Sequence, residues 1–342
     1  FSSYTVALKK EGNVHKAYIV ESTNPSWKAG QVKFIVNDPE DNNTAKVTFF
    51  MGDHSARQID TMTLLGNNEV VLGNSFIVMS REEPRQESSP EITRYVRLLS
   101  TKAPLFEKVS ENTVLVRIPA FDHAFKKDID AVIAKHLDTI LKTENLIIDI
   151  RGNGGGSDVS YASLLPILYT NPIRTVGMEY LSTELNNSRM LGFLQNPHFS
   201  EEEKQWAKDG YDILNQHIGS YINIDEDVTV ETFDKIEPLP KSIGVLVDSS
   251  NGSTAEQFLL AAKQSKKVKL FGQTTAGVLD ISNMYQTDSP SGTFTLYYSL
   301  TKSLRIPHMA IDGVGIQPDY YIDGELPLYQ WTSYTQKILE GM

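Results

Sequence analysis

The chain has 342 residues, of which 40 % are apolar and 9 % aromatic; it has no cysteine and a formal net charge of −11 at pH 7. That length fits about two domains, with apolar residues enough for two cores without disulfides or metals. The acidic balance, with no run of Lys and Arg, argues against a nucleic-acid partner or an anionic membrane surface, and the missing cysteines exclude thiolate catalysis and Cys-based zinc sites. No apolar stretch approaches the roughly 18 to 20 residues that span a bilayer, so no integral membrane segment is expected. Phe1 begins without a charged leader or apolar signal region, which reads as a processed or truncated chain.

Short strands are expected from about residue 4 to 82, with "AYIVES", "QVKFIVND", "KVTFFMGD", "IDTMTLLG" and "SFIVMSRE" separated by turn signals such as "NPSWKAG" and "NDPEDNN". Residues 1–82 therefore form a β-rich N-terminal domain. The polar "REEPRQESSPE" of residues 81–91 starts a linker region, placed at 83–103. Residues 104–342 then alternate between strand and helix: the strand "NTVLVRIPAF", a helix from Phe125, the apolar strand "NLIIDI", a helix from about Asp158, the strand "RTVGMEYL", a helical stretch near 201–218, the strand "SIGVLVD", a helix opened by Ser253, and the strand "VKLFG". This alternation predicts an α/β layer structure with largely buried strands, preceded by the small all-β domain.

In such folds ligands sit beyond the carboxyl ends of strands, and two strand ends here are chemically loaded. In "LIIDIRGNGGGSD" (146–158), Gly152, Gly154, Gly155 and Gly156 leave backbone amides unshielded, able to hold an anion or a developing oxyanion, or simply forming a pliable turn. No phosphate-binding register is present. In "DSSNGSTAEQFLLAA" (248–262), Ser253 stands at the first turn of a helix, where the dipole and the Thr254 amide favour an alkoxide-like state; capping the helix is the competing role. The GxSxG elbow is absent.

Together with "LFGQTTAG" and "GVGIQPD", these two stretches resemble the tail-specific, or C-terminal processing, serine peptidases over roughly residues 104–323. The resemblance implies a core of the Clp-protease/crotonase kind built from ββα units, Ser253 as nucleophile, and an oxyanion hole from the amides of Gly154 or Gly155 and of Thr254. Members with a Ser–Lys dyad carry the lysine 25 residues after the serine; here that position is Val278. The chain is thereby closer to the tricorn-core-like branch, which pairs serine with histidine and a carboxylate. Asp312 in "IDGVGIQPD" matches the carboxylate position, with a turn role as the alternative. His54 in "MGDHSAR" is the candidate base by spelling, a histidine upstream of Phe1 being the other source. His136 falls on an apolar helix face, His123 in a loop, and His15, His198, His217 and His308 stand in no motif.

The expected function is a serine-type endopeptidase acting on protein or peptide substrates, without cofactor or metal. The alternative is a catalytically inactive relative that binds extended peptides or an apolar small ligand; a crotonase-like thioester enzyme is the third reading. Family resemblance also implies an extracytoplasmic setting, in the periplasm or cell envelope, with either a removed signal or a lipid anchor on an upstream segment. Oligomeric state is not encoded in any recognisable motif.

Overall fold

The structure is a computed structural model describing residues 3–37, 44–73, 77–197 and 199–341. The expected turn at "NDPEDNN" and His198 fall largely or wholly outside these residues. The chain divides into two compact units, Phe1–Lys102 with Pro327–Gln330, and Ala103–Leu326 with Trp331–Met342.

The first unit is one seven-stranded antiparallel meander in chain order: β1 (Tyr4–Glu11), β2 (Val14–Ser22), β3 (Val32–Asn37), β4 (Thr44–Phe50), β5 (Ala56–Leu65), β6 (Glu69–Leu72) and β7 (Ile77–Ser80). Because side chains alternate along a strand, neighbours in β6 serve opposite faces. Leu72 joins Ala17, Phe34, Val36 and Val47 in one cluster, while Val71 packs with Leu65, Ile92 and Tyr95 in another. The last two come from α1 (Pro90–Ser100), which stands in the stretch expected as a linker. Its start is well marked: Pro90 enters the first turn and the Ser89 hydroxyl accepts from the Ile92 amide. Lys33 is buried in this unit. Its ammonium donates to the Phe50 carbonyl at 2.6 Å and lies 4.1 Å from the Trp27 ring and 4.4 Å from the Phe49 ring.

The second unit begins with β8 (Leu105–Lys108), β9 (Thr113–Arg117), α2 (Lys126–Ile140) and β10 (Asn145–Asp149). The helix expected from Asp158 is a 3-10 turn, Asp158–Leu164, running into the single turn α3 (Leu165–Leu168). The expected single strand "RTVGMEYL" divides at Gly177 into β11 (Ile173–Val176) and β12 (Met178–Leu181), which lie in different sheets. A side chain at Gly177 would meet the Glu226 carbonyl at 2.5 Å, so the crossing point requires glycine. Next come α4 (Glu184–Leu194), which no sequence signal announced, α5 (Glu201–Asn215), opened by a Ser200–Glu203 capping box, β13 (Tyr221–Ile222) and β14 (Val228–Glu231). The chain finishes with β15 (Ser242–Val247), α6 (Thr254–Ala262), β16 (Val268–Gly272), β17 (Ile281–Asp288), β18 (Thr295–Ser303), β19 (Tyr320–Tyr321) and α7 (Trp331–Leu339).

Its main sheet runs β19-β16-β15-β10-β9-β8, parallel except for β8. The expected α/β core behind a small all-β region is therefore what the chain forms. Strands β9 and β10 are buried at every position, as a sheet covered on both faces demands. Helix α6 is buried nearly all round, with Phe258 and Leu259 in the same cluster as Ile148 and Val245. The register sets Asp149 opposite Leu246 and Arg117, so three strands end at one level. At that level sit the glycine loop and Ser253.

Candidate active site

The first loop leaves β10 through a buried ion cluster. Arg151 reaches the Asp149 carboxylate at 2.7 Å and Arg117 approaches it at 3.5 Å. Burial alone would raise this carboxyl; the two guanidiniums outweigh it and hold Asp149 below the ordinary range. The strand end is thereby fixed before the chain enters the glycines.

Two buried asparagines then tie the glycine loop to the serine turn. Asn251 donates to the Ile150 carbonyl at 2.6 Å and the Asn153 carbonyl at 3.0 Å, and accepts from the Asp248 amide at 2.8 Å. Asn153 donates to the Ile118 carbonyl and accepts from the Gly155 amide at 2.9 Å. Asp248 completes the frame by accepting from the Gly152 amide at 2.9 Å and the Ser250 amide at 3.0 Å; burial raises its carboxyl against the effect of these bonds. Sequence reasoning passed over these three residues. The repeated Asn-Gly spelling in "RGNG" and "SSNG" was the available signal.

Ser253 has φ 52° and ψ −125°, a backbone conformation that a side-chain-bearing residue adopts only under constraint. Its hydroxyl makes no capping bond, so the helix-cap role is not the one it plays here. The residue is half-buried, whereas its neighbours Gly252 and Thr254 are buried. A strained serine between a strand and a helix is the geometry of a nucleophile elbow, reached without GxSxG. The space that the elbow's flanking glycines would provide comes instead from Gly155 on the other loop. A Cβ on Gly155 would lie 2.9 Å from Ser253 Cβ, 2.9 Å from the Thr254 nitrogen and 2.7 Å from the Gly252 carbonyl.

The fold thus brings Ser253, Thr254 and the glycine loop together. The Gly155 amide is already engaged by Asn153, which removes it from the free donors. The amides of Gly154 and Thr254 make no hydrogen bond to a described residue, the latter as the first residue of a helix.

A third segment flanks the serine. Buried Glu256 accepts from Thr275 Oγ1 at 2.5 Å and from the amides of Gly277 and Val278 at 2.7 and 2.9 Å. This fixes Val278 so that its Cγ2 lies 2.6 Å from where a Cβ on Gly252 would stand. Asp312 accepts from three consecutive amides, Leu279 and Asp280 at 2.6 Å and Ile281 at 3.0 Å. It is held in the same second unit and engaged in shaping the turn after Val278.

His54 belongs to the first unit, in the turn between β4 and β5. Its Nε2 lies 3.1 Å from the Ser26 carbonyl and its ring 4.5 Å from Trp27. In the second unit, His123 follows Phe121, whose backbone donates to the Gly155 carbonyl and accepts from the Ser157 amide. His136 is half-buried and stacked on Phe106 at 4.0 Å, and burial lowers its pKa. Among the described residues no cluster of His, Asp and Glu is arranged to hold a metal, and no helix is long and apolar enough to cross a membrane.

An uncharacterized protein of Chlamydia muridarum (strain MoPn / Nigg) is 25 % identical over 268 residues, covering 67 % of this chain and 44 % of the relative, so the chain spans less than half of that relative's length. Among solved structures, mature CPAF aligns with 99 % of this chain and 82 % of its own at 14 % identity and a TM-score of 0.50. The photosystem II D1 C-terminal processing protease covers 95 % and 74 % at 12 % identity and a TM-score of 0.42. The likeness to mature CPAF, at this identity, concerns the fold alone. Residues 112–322 match the family profile of peptidase family S41, and that span contains the glycine loop, the serine turn, Val278 and Asp312; the chain belongs to peptidase family S41.

Proposed function

We propose that the chain is a serine-type endopeptidase whose acyl-enzyme forms on Ser253. The observation that carries this reading is the strained, half-buried Ser253 with an uncapped hydroxyl, pressed against Gly155 and followed by the free Thr254 amide. Attack by Ser253 Oγ on a peptide carbonyl would place negative charge on its oxygen. Thr254 N–H and Gly154 N–H are the donors assigned to that oxygen; donors held in place before the reaction stabilise such charge without reorganisation. A histidine takes the serine proton and returns it to the leaving amine, after which water releases the acyl group. Val278 supports histidine over lysine, because the position from which a lysine would reach the serine turn holds an apolar side chain.

His54 is the base assigned by spelling, and His123 is the one whose segment pairs with the glycine loop. Asp312 is assigned as the carboxylate that shapes the far side of the site. Substrates are proteins or peptides, and the setting assigned from the family is extracytoplasmic. The test is hydrolysis of unfolded protein substrate by wild type, Ser253→Ala, His54→Ala and His123→Ala. Loss in Ser253→Ala and in one histidine variant supports the mechanism; undiminished turnover in Ser253→Ala removes it. Peptide binding without turnover in any form would favour the binding-protein alternative.

A further inference from the structure

We infer that the outer edge of strand β17 pairs antiparallel with the same strand of a second copy of this chain, across a two-fold axis. The inference is independent of the peptidase reading. Strand β17 closes the four-stranded sheet β13-β12-β18-β17, and among the described residues no strand pairs with its outer side. Edge strands are ordinarily kept from such pairing by charge or proline within the strand. Here Asp288 is the one charged residue between Ile281 and Thr301, in a chain of net charge −11, and no proline interrupts Ile281–Asp288.

The outer half of the β17–β18 hairpin is uncovered on both faces. Met284 and Tyr297 share the face of Gln286, Leu296 lies on the other, and Phe294 stands beside the turn. These four apolar side chains are 58 %, 64 %, 60 % and 76 % exposed. At about 200 Å² per large side chain they present about 500 Å², as much as the largest patch on a typical monomer. With the backbone edge added, the surface approaches the roughly 800 Å² per partner of a standard interface. Depletion of charge is likewise the mark of an interface core.

The strand is also complementary to itself. Asn283, at φ 56°, interrupts the ladder with β18, so the regular edge is Met284–Asp288 with Gln286 at its centre. A two-fold axis there sets Gln286 against the second copy's Gln286, Tyr285 against its Thr287 and Met284 against its Asp288. Each pair falls on one face, as antiparallel pairing requires. Two facing glutamine amides donate and accept reciprocally. The two Asp288 carboxylates stand at opposite ends, about 14 Å apart and beyond the screening length at physiological salt. Asp288 is already engaged, accepting from Thr295 at 2.7 Å.

The experiment is sedimentation equilibrium of the full chain from about 1 to 100 μM, the range in which an interface of this size associates. Wild type should dimerise. Gln286→Lys and Gln286→Glu each put like charges face to face at the axis, and each should weaken the dimer at least about tenfold. An equimolar mixture of the two variants should regain it as a heterodimer. Gln286 is exposed, so neither substitution disturbs the core, and rescue in the mixture shows that both variants are folded. A monomeric wild type, a dimer that both variants retain, or a mixture without rescue overturns the inference. The first of these results is also what an edge reserved for a peptide substrate or an unrelated protein would give.

Discussion

Replacing Gly155 by alanine tests how closely the two loops depend on each other. Gly155 has φ +107°, a region that L side chains rarely occupy, and the new methyl would fall 2.7 Å from the Gly252 carbonyl and 2.9 Å from Ser253 Cβ and the Thr254 nitrogen. Backbone strain of this kind costs about 1–3 kcal/mol and overpacking about 1–3 kcal/mol more. Relief of the clash moves the loop away from Ser253, and a displacement near 1 Å at reacting groups costs about 100-fold in rate. Gly155→Ala should therefore lose about 2–6 kcal/mol in urea unfolding and about 100-fold in turnover. Gly152→Ala is the control, since Gly152 has φ +74° but nothing within 4 Å of its added methyl, so strain alone applies. Equal losses in the two variants, or a wild-type rate in Gly155→Ala, would refute the claim that close approach at Gly155 builds the site.

Glu256→Ala leaves the Thr275 hydroxyl and the Gly277 and Val278 amides without their acceptor, and should cost about 3 kcal/mol or more in chemical denaturation; a loss under about 1 kcal/mol would mean that the three donors find other partners. Burial pushes the Lys33 ammonium down to about 8, from 10.5. The folded state thus binds fewer protons than the unfolded state between those values, so stability rises with pH across that window. Wild type should show a thermal midpoint that climbs from pH 8 toward 10, and Lys33→Met should lose that climb; identical profiles would contradict it. Val278→Lys places an amine beside the serine turn, and in a background lacking His54 and His123 it should raise Ser253 reactivity about tenfold or more; no gain at any pH would show that the side chain does not reach.

The fold was legible where chemistry and periodicity coincide. The buried runs "TVLVR", "NLIID" and "SIGVLV" have the unbroken apolar character of strands covered on both faces, and they became β9, β10 and β15. Helix α4 was not legible because "ELNNSRMLGFL" shows little one-sided patterning and takes its place from packing of Met190 against Ala207 and Leu214. The division of "RTVGMEYL" at Gly177 depends on the Glu226 carbonyl, a contact about 50 residues away in sequence, which no local rule detects. Likewise the pairing of Ser253 with the glycine loop was legible as two strand ends, but Gly155's engagement by Asn153 was not. Which amide of a glycine run stays free depends on which one a neighbouring side chain takes.

The most direct measurement is labelling with a fluorophosphonate probe, followed by mass mapping of the modified residue in wild type and Ser253→Ala. The account predicts one adduct, on Ser253, and none in the variant. An adduct at another residue, or no labelling of wild type under any condition, would contradict it.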